Sequence, residues 1–243
     1  MKLNIYKTAD EVLQNLAAYI AQTAKEAIAA RDRFTFALSG GSSPKKLYEL
    51  LASDYKNKIE WEKVWFFFGD ERDVPLDHKD SNYLMAKTAL FDPLGINPAN
   101  VFAVETNLGA EAAAQQYTFN LIEFFDGGNA CFDVVLLGLG DNSHTASLFP
   151  HTSVLHDESA SLQALYIDEV KMNRITFTAP LINNAHHIVF LVYGAGKAEA
   201  VKHILEDPKD IENYPAQLIT PTGDGDLLWF LDEAAAGALS SKY

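Results

Sequence analysis

Cysteine, basic charge and long apolar runs are scarce in this sequence, and each shortage removes a class of protein. The lone Cys131 excludes an intrachain disulfide, so a reducing cytoplasm is the expected compartment. Lys and Arg number 19 against 33 Asp and Glu, for a formal charge of -14. The densest basic pair is Lys45-Lys46, far from the clustered basic face that nucleic acid or an anionic membrane requires. No run approaches the roughly 18 apolar residues of a membrane span. The opening residues Met1 to Lys7 carry no apolar signal core, so a soluble, unprocessed protein is expected. Metal-ligand spacings such as His-Glu-x-x-His or paired Cys-x-x-Cys do not occur, so no bound metal is expected. The Gly-x-Ser-x-Gly elbow of serine hydrolases is absent, as are the Walker A lysine and a complete dinucleotide fingerprint.

What remains is a chain of 243 residues with 48% hydrophobic content, enough to bury a sizeable core in one domain spanning 1–243. Thr8 and Glu11 form a capping box ahead of Val12, Leu13, Leu16, Ile20 and Ala24, which predicts an amphipathic first helix. Apolar runs at 34–38, 64–68, 131–137 and 187–193 each pass into glycine or a serine-glycine loop. A helical pattern with Pro44 at its first position follows the first run, and another from Lys197 follows the last. Strands without polar alternation are buried on both faces, so the pattern predicts an α/β fold: a doubly wound, mostly parallel sheet with helices on both faces. Residues 155–164 and 206–213 are acidic and polar and read as exposed loops.

Ligands bind beyond the strand ends of such sheets, and the candidates for chemistry fall there. Gly40, Gly41 and Ser42 join a strand to a helix, where backbone amides can face an anion; the plain alternative is a tight turn capped by Ser43. Asp70-Glu71-Arg72 follows the second strand, Arg174 precedes a strand-like segment, and Lys197 follows Gly194-Ala195-Gly196. Singly these cations read as solvated charges; together with the glycine loop they form a candidate phosphate clamp. His144, after Gly138-Leu139-Gly140-Asp141-Asn142-Ser143, is the side chain best suited to move a proton near neutral pH.

These segments, with Ser81-Asn82-Tyr83, His144-Thr145-Ala146-Ser147-Leu148-Phe149-Pro150 and Trp229-Phe230-Leu231-Asp232, occur in an order that resembles the 6-phosphogluconolactonases. The resemblance runs from about Phe34 to Ala236; glucosamine-6-phosphate deaminases are similar in fold. It implies a doubly wound domain hydrolysing 6-phospho-D-glucono-1,5-lactone to 6-phosphogluconate without metal or organic cofactor. Phosphate would sit on Gly40, Gly41, Ser42, Arg72, Arg174 and Lys197, with His144 beside the lactone carbonyl as general base. The chain departs from the family twice: Asp141-Asn142-Ser143 stands where Pro-Asp-Gly is usual, and His151 where glycine is expected. Asn142 offers no carboxylate to support an imidazolium, which turns attention to Asp141 or Asp70. A sugar-phosphate isomerase or deaminase, and a non-catalytic sugar-phosphate sensor, are the alternative readings. Oligomeric state is not legible.

Overall fold

The computed structural model describes residues 1–240; the last three positions of the expected 1–243 domain lie outside the described residues. The elements in chain order are β1 (Lys2–Tyr6), α1 (Ala9–Arg31), β2 (Phe34–Leu38), α2 (Ser42–Asp54), β3 (Val64–Phe68), β4 (Asp70–Arg72), α3 (Asn82–Ala86), α4 (Asp92–Leu94), α5 (Ala110–Phe124), β5 (Val134–Leu137), β6 (Leu162–Ile167), β7 (Met172–Phe177), α6 (Ala179–Asn183), β8 (His187–Val192), α7 (Ala198–Leu205) and β9 (Asp226–Asp232). Thr8 caps α1 as its motif predicts: its hydroxyl accepts from the Glu11 N–H at 3.2 Å, while the Glu11 carboxylate accepts from the Lys7 N–H at 2.8 Å.

Six strands form a sheet in the order β1-β9-β8-β5-β2-β3, every pair parallel. All residues of β2 and β5 are buried, which is why these segments read as continuous apolar runs. From β2 the chain moves outward to β3, and from β5 the other way to β8 and β9. The gap between β2 and β5 is therefore the topological switch point, where loops at the carboxyl ends diverge and leave a crevice.

A second, three-stranded antiparallel sheet, β4-β7-β6, is not expected from sequence, although the strand-like segment after Arg174 is the second half of β7. At Gly69 the chain leaves the large sheet for the small one: its N–H donates to Leu38 O at 2.9 Å and its carbonyl accepts from Phe177 N at 2.8 Å. Ile175 and Phe177 of β7 lie in the same hydrophobic core as β2 and β3.

Several boundaries differ from the expectations. Strand β5 starts at Val134, leaving Cys131 half-buried ahead of it. Helix α2 starts at Ser42, so Pro44 lies in its first turn but not at its first position. The stretch 155–164 is not simply an exposed loop, since Leu155 and Leu162 are buried and β6 begins at Leu162. Among the described residues no helix is long and apolar enough to cross a membrane.

Candidate active site

Loops after β2 and β5, the β4 and β7 strands and the turn after β8 line one cleft of about 300 Å³ at the switch point, within the usual size range of small-ligand pockets. Eight of the ten residues singled out from sequence line the cleft, Gly40, Gly41, Ser42, Asp70, Arg72, His144, Arg174 and Lys197, and Asn142 hydrogen-bonds the His144 ring. Asp141 is exposed and reaches the cleft through an ion pair with Lys197 at 2.5 Å.

The anion end is built first by the β2–α2 loop. Gly41 caps α2 at φ 102, ψ 173, a region that is essentially glycine's alone. No side chain caps the helix, so the first-turn amides of Ser42 and Ser43 face outward unsatisfied by a cap. That answers the alternative of a Ser43-capped turn. A Cβ on Gly40 would lie 2.0 Å from Asn82 Oδ1, so a side chain there would displace the buried Asn82 amide from its bond to Asp70. The buried Tyr48 hydroxyl accepts from Ser39 N at 3.0 Å and donates to Ser39 O at 2.8 Å, fixing the entry to the loop.

The guanidinium groups arrive from the small sheet. Arg72 and Arg174 are directly opposed across the β4–β7 ladder, a pairing of like charges that costs stability unless an anion lies between. The Nε atoms of both are buried without a hydrogen-bond partner, and such orphaned donors are uncommon unless a ligand completes them. Burial and the adjacent Arg72 charge push the Arg174 guanidinium below its ordinary range. Arg72 is aimed by its Nη1, which donates to Asp80 O at 2.5 Å.

Glu71, between the two cleft-facing residues of β4, turns the other way and holds the strand in place. Its buried carboxylate accepts from Arg72 N at 2.7 Å, Asn82 N at 2.7 Å, Tyr83 N at 2.8 Å and Ser81 Oγ at 3.1 Å. The Ser81-Asn82-Tyr83 segment is thus the bracket that ties α3 to β4. Burial pushes the Glu71 carboxyl up, against the pull of these amides. Nothing in the sequence set Glu71 apart from its two neighbours.

The histidine end is a compact loop after β5. Gly140 N donates to His144 O at 2.8 Å and Ser143 N to Gly140 O at 3.0 Å. A Cβ on Gly140 would meet His144 Nδ1 at 2.1 Å, so this glycine makes room for the ring. The imidazole stacks on Phe149, centroids 4.0 Å apart at 13°. Its Nδ1 meets Asn142 Oδ1 at 2.5 Å. Neither carboxylate considered from sequence touches the ring: Asp141 is taken by Lys197, and Asp70 accepts from Ser147 Oγ at 2.8 Å and Asn82 Nδ2 at 3.3 Å. Asn142, whose amide then donates to Glu169 at 2.9 Å, holds that place instead. Burial drives the His144 pKa down to about 4, opposed by Asp70 and Glu169 and assisted by Lys197 and Arg174. The ring is therefore neutral at pH 7.

The Trp229–Asp232 segment acts at a distance. Asp232, at the end of β9, accepts from Gly194 N at 3.0 and 3.1 Å and so shapes the turn that delivers Lys197. Among the described residues, no group of three or more His, Cys, Asp or Glu could hold a metal ion.

A family model described as "Glucosamine-6-phosphate isomerases/6-phosphogluconolactonase" matches residues 7–229. The chain is 44% identical to a 6-phosphogluconolactonase of Nostoc sp. strain PCC 7120 over 88% of each chain. Identity to the 6-phosphogluconolactonase of Synechocystis sp. strain PCC 6803 is 45% over 86% of each. A solved 6-phosphogluconolactonase from Trypanosoma cruzi superimposes with a TM-score of 0.87 at 27% identity, covering 98% of this chain and 97% of that one. With the family model spanning most of the chain and these relatives at 44–45% identity, the chain belongs to the glucosamine-6-phosphate isomerase/6-phosphogluconolactonase family.

Proposed function

We infer that this chain hydrolyses 6-phospho-D-glucono-1,5-lactone to 6-phosphogluconate, a cytoplasmic reaction of the oxidative pentose phosphate route. The observation that carries the reading is the pairing, in one cleft, of a neutral histidine with two opposed arginines, Lys197 and the glycine-loop amides. The phosphate binds Arg72, Arg174 and Lys197 and the Gly40-Gly41-Ser42 amides, with Arg72 Nε and Arg174 Nε gaining the acceptors they lack. Anchoring the far end of the sugar orients C1 toward the histidine, so a lactone without phosphate is a poor substrate.

His144 carries its proton on Nδ1, held by Asn142 Oδ1, which leaves the Nε2 lone pair as the base. Nε2 takes a proton from water as the water oxygen attacks C1. The tetrahedral intermediate then expels the ring oxygen, which receives the same proton back from Nε2. No metal or organic cofactor is required for this sequence of steps. Asp70, held by Ser147 Oγ and Asn82 Nδ2, acts on the ring through its charge.

General acid-base help of this kind contributes about 10²- to 10⁴-fold. His144→Asn therefore loses that much of kcat with little change in KM, measured as rate above the spontaneous opening of the lactone. A variant that keeps the full acceleration removes His144 from the mechanism. Release of ammonia from glucosamine 6-phosphate at a comparable rate would instead favour the deaminase reaction.

A further inference from the structure

We propose that Glu169 is a positioning residue for the reaction: acting through the Asn142 amide, it selects the tautomer of His144 and supplies the negative charge that supports its protonated form. The proposal rests on the reading of His144 as general base. Its starting point is the three-membered line His144 Nδ1, Asn142 Oδ1 at 2.5 Å, then Asn142 Nδ2 to Glu169 Oε2 at 2.9 Å.

The line has a direction set by chemistry. An ionised carboxylate only accepts hydrogen bonds, so the Asn142 NH₂ must face Glu169 and its carbonyl oxygen must face the ring. That oxygen only accepts, so Nδ1 must carry the hydrogen, and the lone pair falls on Nε2. The weaker contact of His144 N to Asn142 Oδ1 at 3.3 Å agrees with the same amide orientation. When Nε2 takes the proton from water, the new positive charge is delocalised to Nδ1–H. The Asn142 dipole, already polarised by Glu169, meets it there. The proton leaves again with the ring oxygen, so Glu169 itself neither gains nor loses one.

Glu169 lies at 168–171, in the tip of the hairpin between β6 and β7, and the same hairpin carries Arg174. One supersecondary unit therefore brings a cation to the phosphate end and a carboxylate to the histidine end. The charged groups facing His144 are Asp70 from β4, Arg174 from β7, Lys197 from the turn before α7, and Glu169; Asp70 and Glu169 favour the charged ring, and the two cations oppose it.

The test is a set of four variants assayed for kcat, KM and pH profile on the lactone. Glu169→Gln keeps an acceptor for Asn142 and removes only the charge. It is expected to lower kcat about fivefold, the gap between a charge-assisted and a neutral hydrogen bond, with KM unchanged and the acidic limb of the profile moved to lower pH. Glu169→Ala is expected to lower kcat further in the same direction. Asn142→Asp puts a carboxylate directly on Nδ1 and moves the acidic limb to higher pH. In that background Glu169→Gln is expected to raise kcat, because it relieves two adjacent carboxylates. Wild-type kcat and an unmoved acidic limb in both Glu169 variants, with His144→Asn inactive, would overturn the proposal and leave the base in place. An equal loss from Glu169→Gln in the Asn142→Asp background would overturn it as well, since Glu169 would then act without Asn142. Full activity of His144→Asn would strike the underlying reading instead.

Discussion

The two sheets divide the work of this molecule differently. In the six-stranded sheet the central strands are mostly apolar, and β2 and β5 are buried throughout; their side chains fill the core, and the loops beyond their ends meet the cleft. In the three-stranded sheet, β4 and the first half of β7 carry Asp70, Glu71, Arg72 and Arg174, and the strands themselves form the cleft wall. The large sheet gains stability from burial. The small one spends some of it, setting two guanidinium groups opposite each other and a carboxylate out of water. Rigidity in the first permits unfavourable charge in the second.

The sharpest way to separate the two is to damage each alone. Phe190 in β8 is fully buried and stacked on Trp229, centroids 4.0 Å apart at 5°. Phe190→Ala is expected to cost about 3–5 kcal/mol of stability, read by denaturant unfolding, while the folded fraction keeps its KM. A KM that rises in step with the lost stability would mean that the large sheet also tunes the site.

His144 links stability to pH. Its unfolded ring takes a proton near pH 6.5 and its folded ring near 4, so between these values the unfolded state binds more protons. The stabilising contribution is complete above pH 6.5 and is lost as pH falls toward 4, by about 3 kcal/mol at most. Relative to wild type, His144→Asn should therefore gain stability on acidification over that window. Equal slopes for the two proteins would show that the ring titrates normally. A nitrogen-15 NMR titration should likewise find the ring neutral at pH 5.5.

At the small sheet, Arg174→Met is expected to raise KM about 10- to 100-fold, the worth of a charged hydrogen bond, and to leave the melting temperature unchanged or higher because one of two opposed charges is gone. Inorganic phosphate should stabilise the wild type more than this variant. A variant that loses stability without a KM effect would make Arg174 a structural residue.

The smallest effect concerns the departures from the family pattern. Ser143 and His151 occupy the left-handed region, at φ 64 and φ 61, at the two positions where the resemblance expects glycine. A side chain there costs about 1–2 kcal/mol, partly offset by glycine's greater freedom when unfolded. His151→Gly should thus stabilise by about 0.5 kcal/mol, a rise of roughly 1–2 °C in Tm. A fall would mean that the His151 side chain, 3.8 Å from Glu212, outweighs the strain.

Local pattern alone determined much of this protein. The capping box at Thr8 placed α1, and continuous apolar runs placed the buried strands β2, β3, β5 and β8, because burial on both faces leaves a run no polar alternation. Glycine and serine at strand ends marked the loops, and the histidine and cations clustered there followed from the architecture. The antiparallel sheet was not legible, because β4 has three residues and β6 and β7 are half-exposed strands with mixed polarity. The pairing of β4 with β7 joins residues about a hundred positions apart, while β6 and β7 pair as a local hairpin. Tertiary structure alone decided which neighbour serves which group: that Arg72 faces Arg174, that Glu71 turns inward, that Asp141 pairs with Lys197 and that Glu169 stands behind Asn142. Chain order carries no trace of such distances, since a hydrogen bond is settled by ångströms in space and not by position in a sequence.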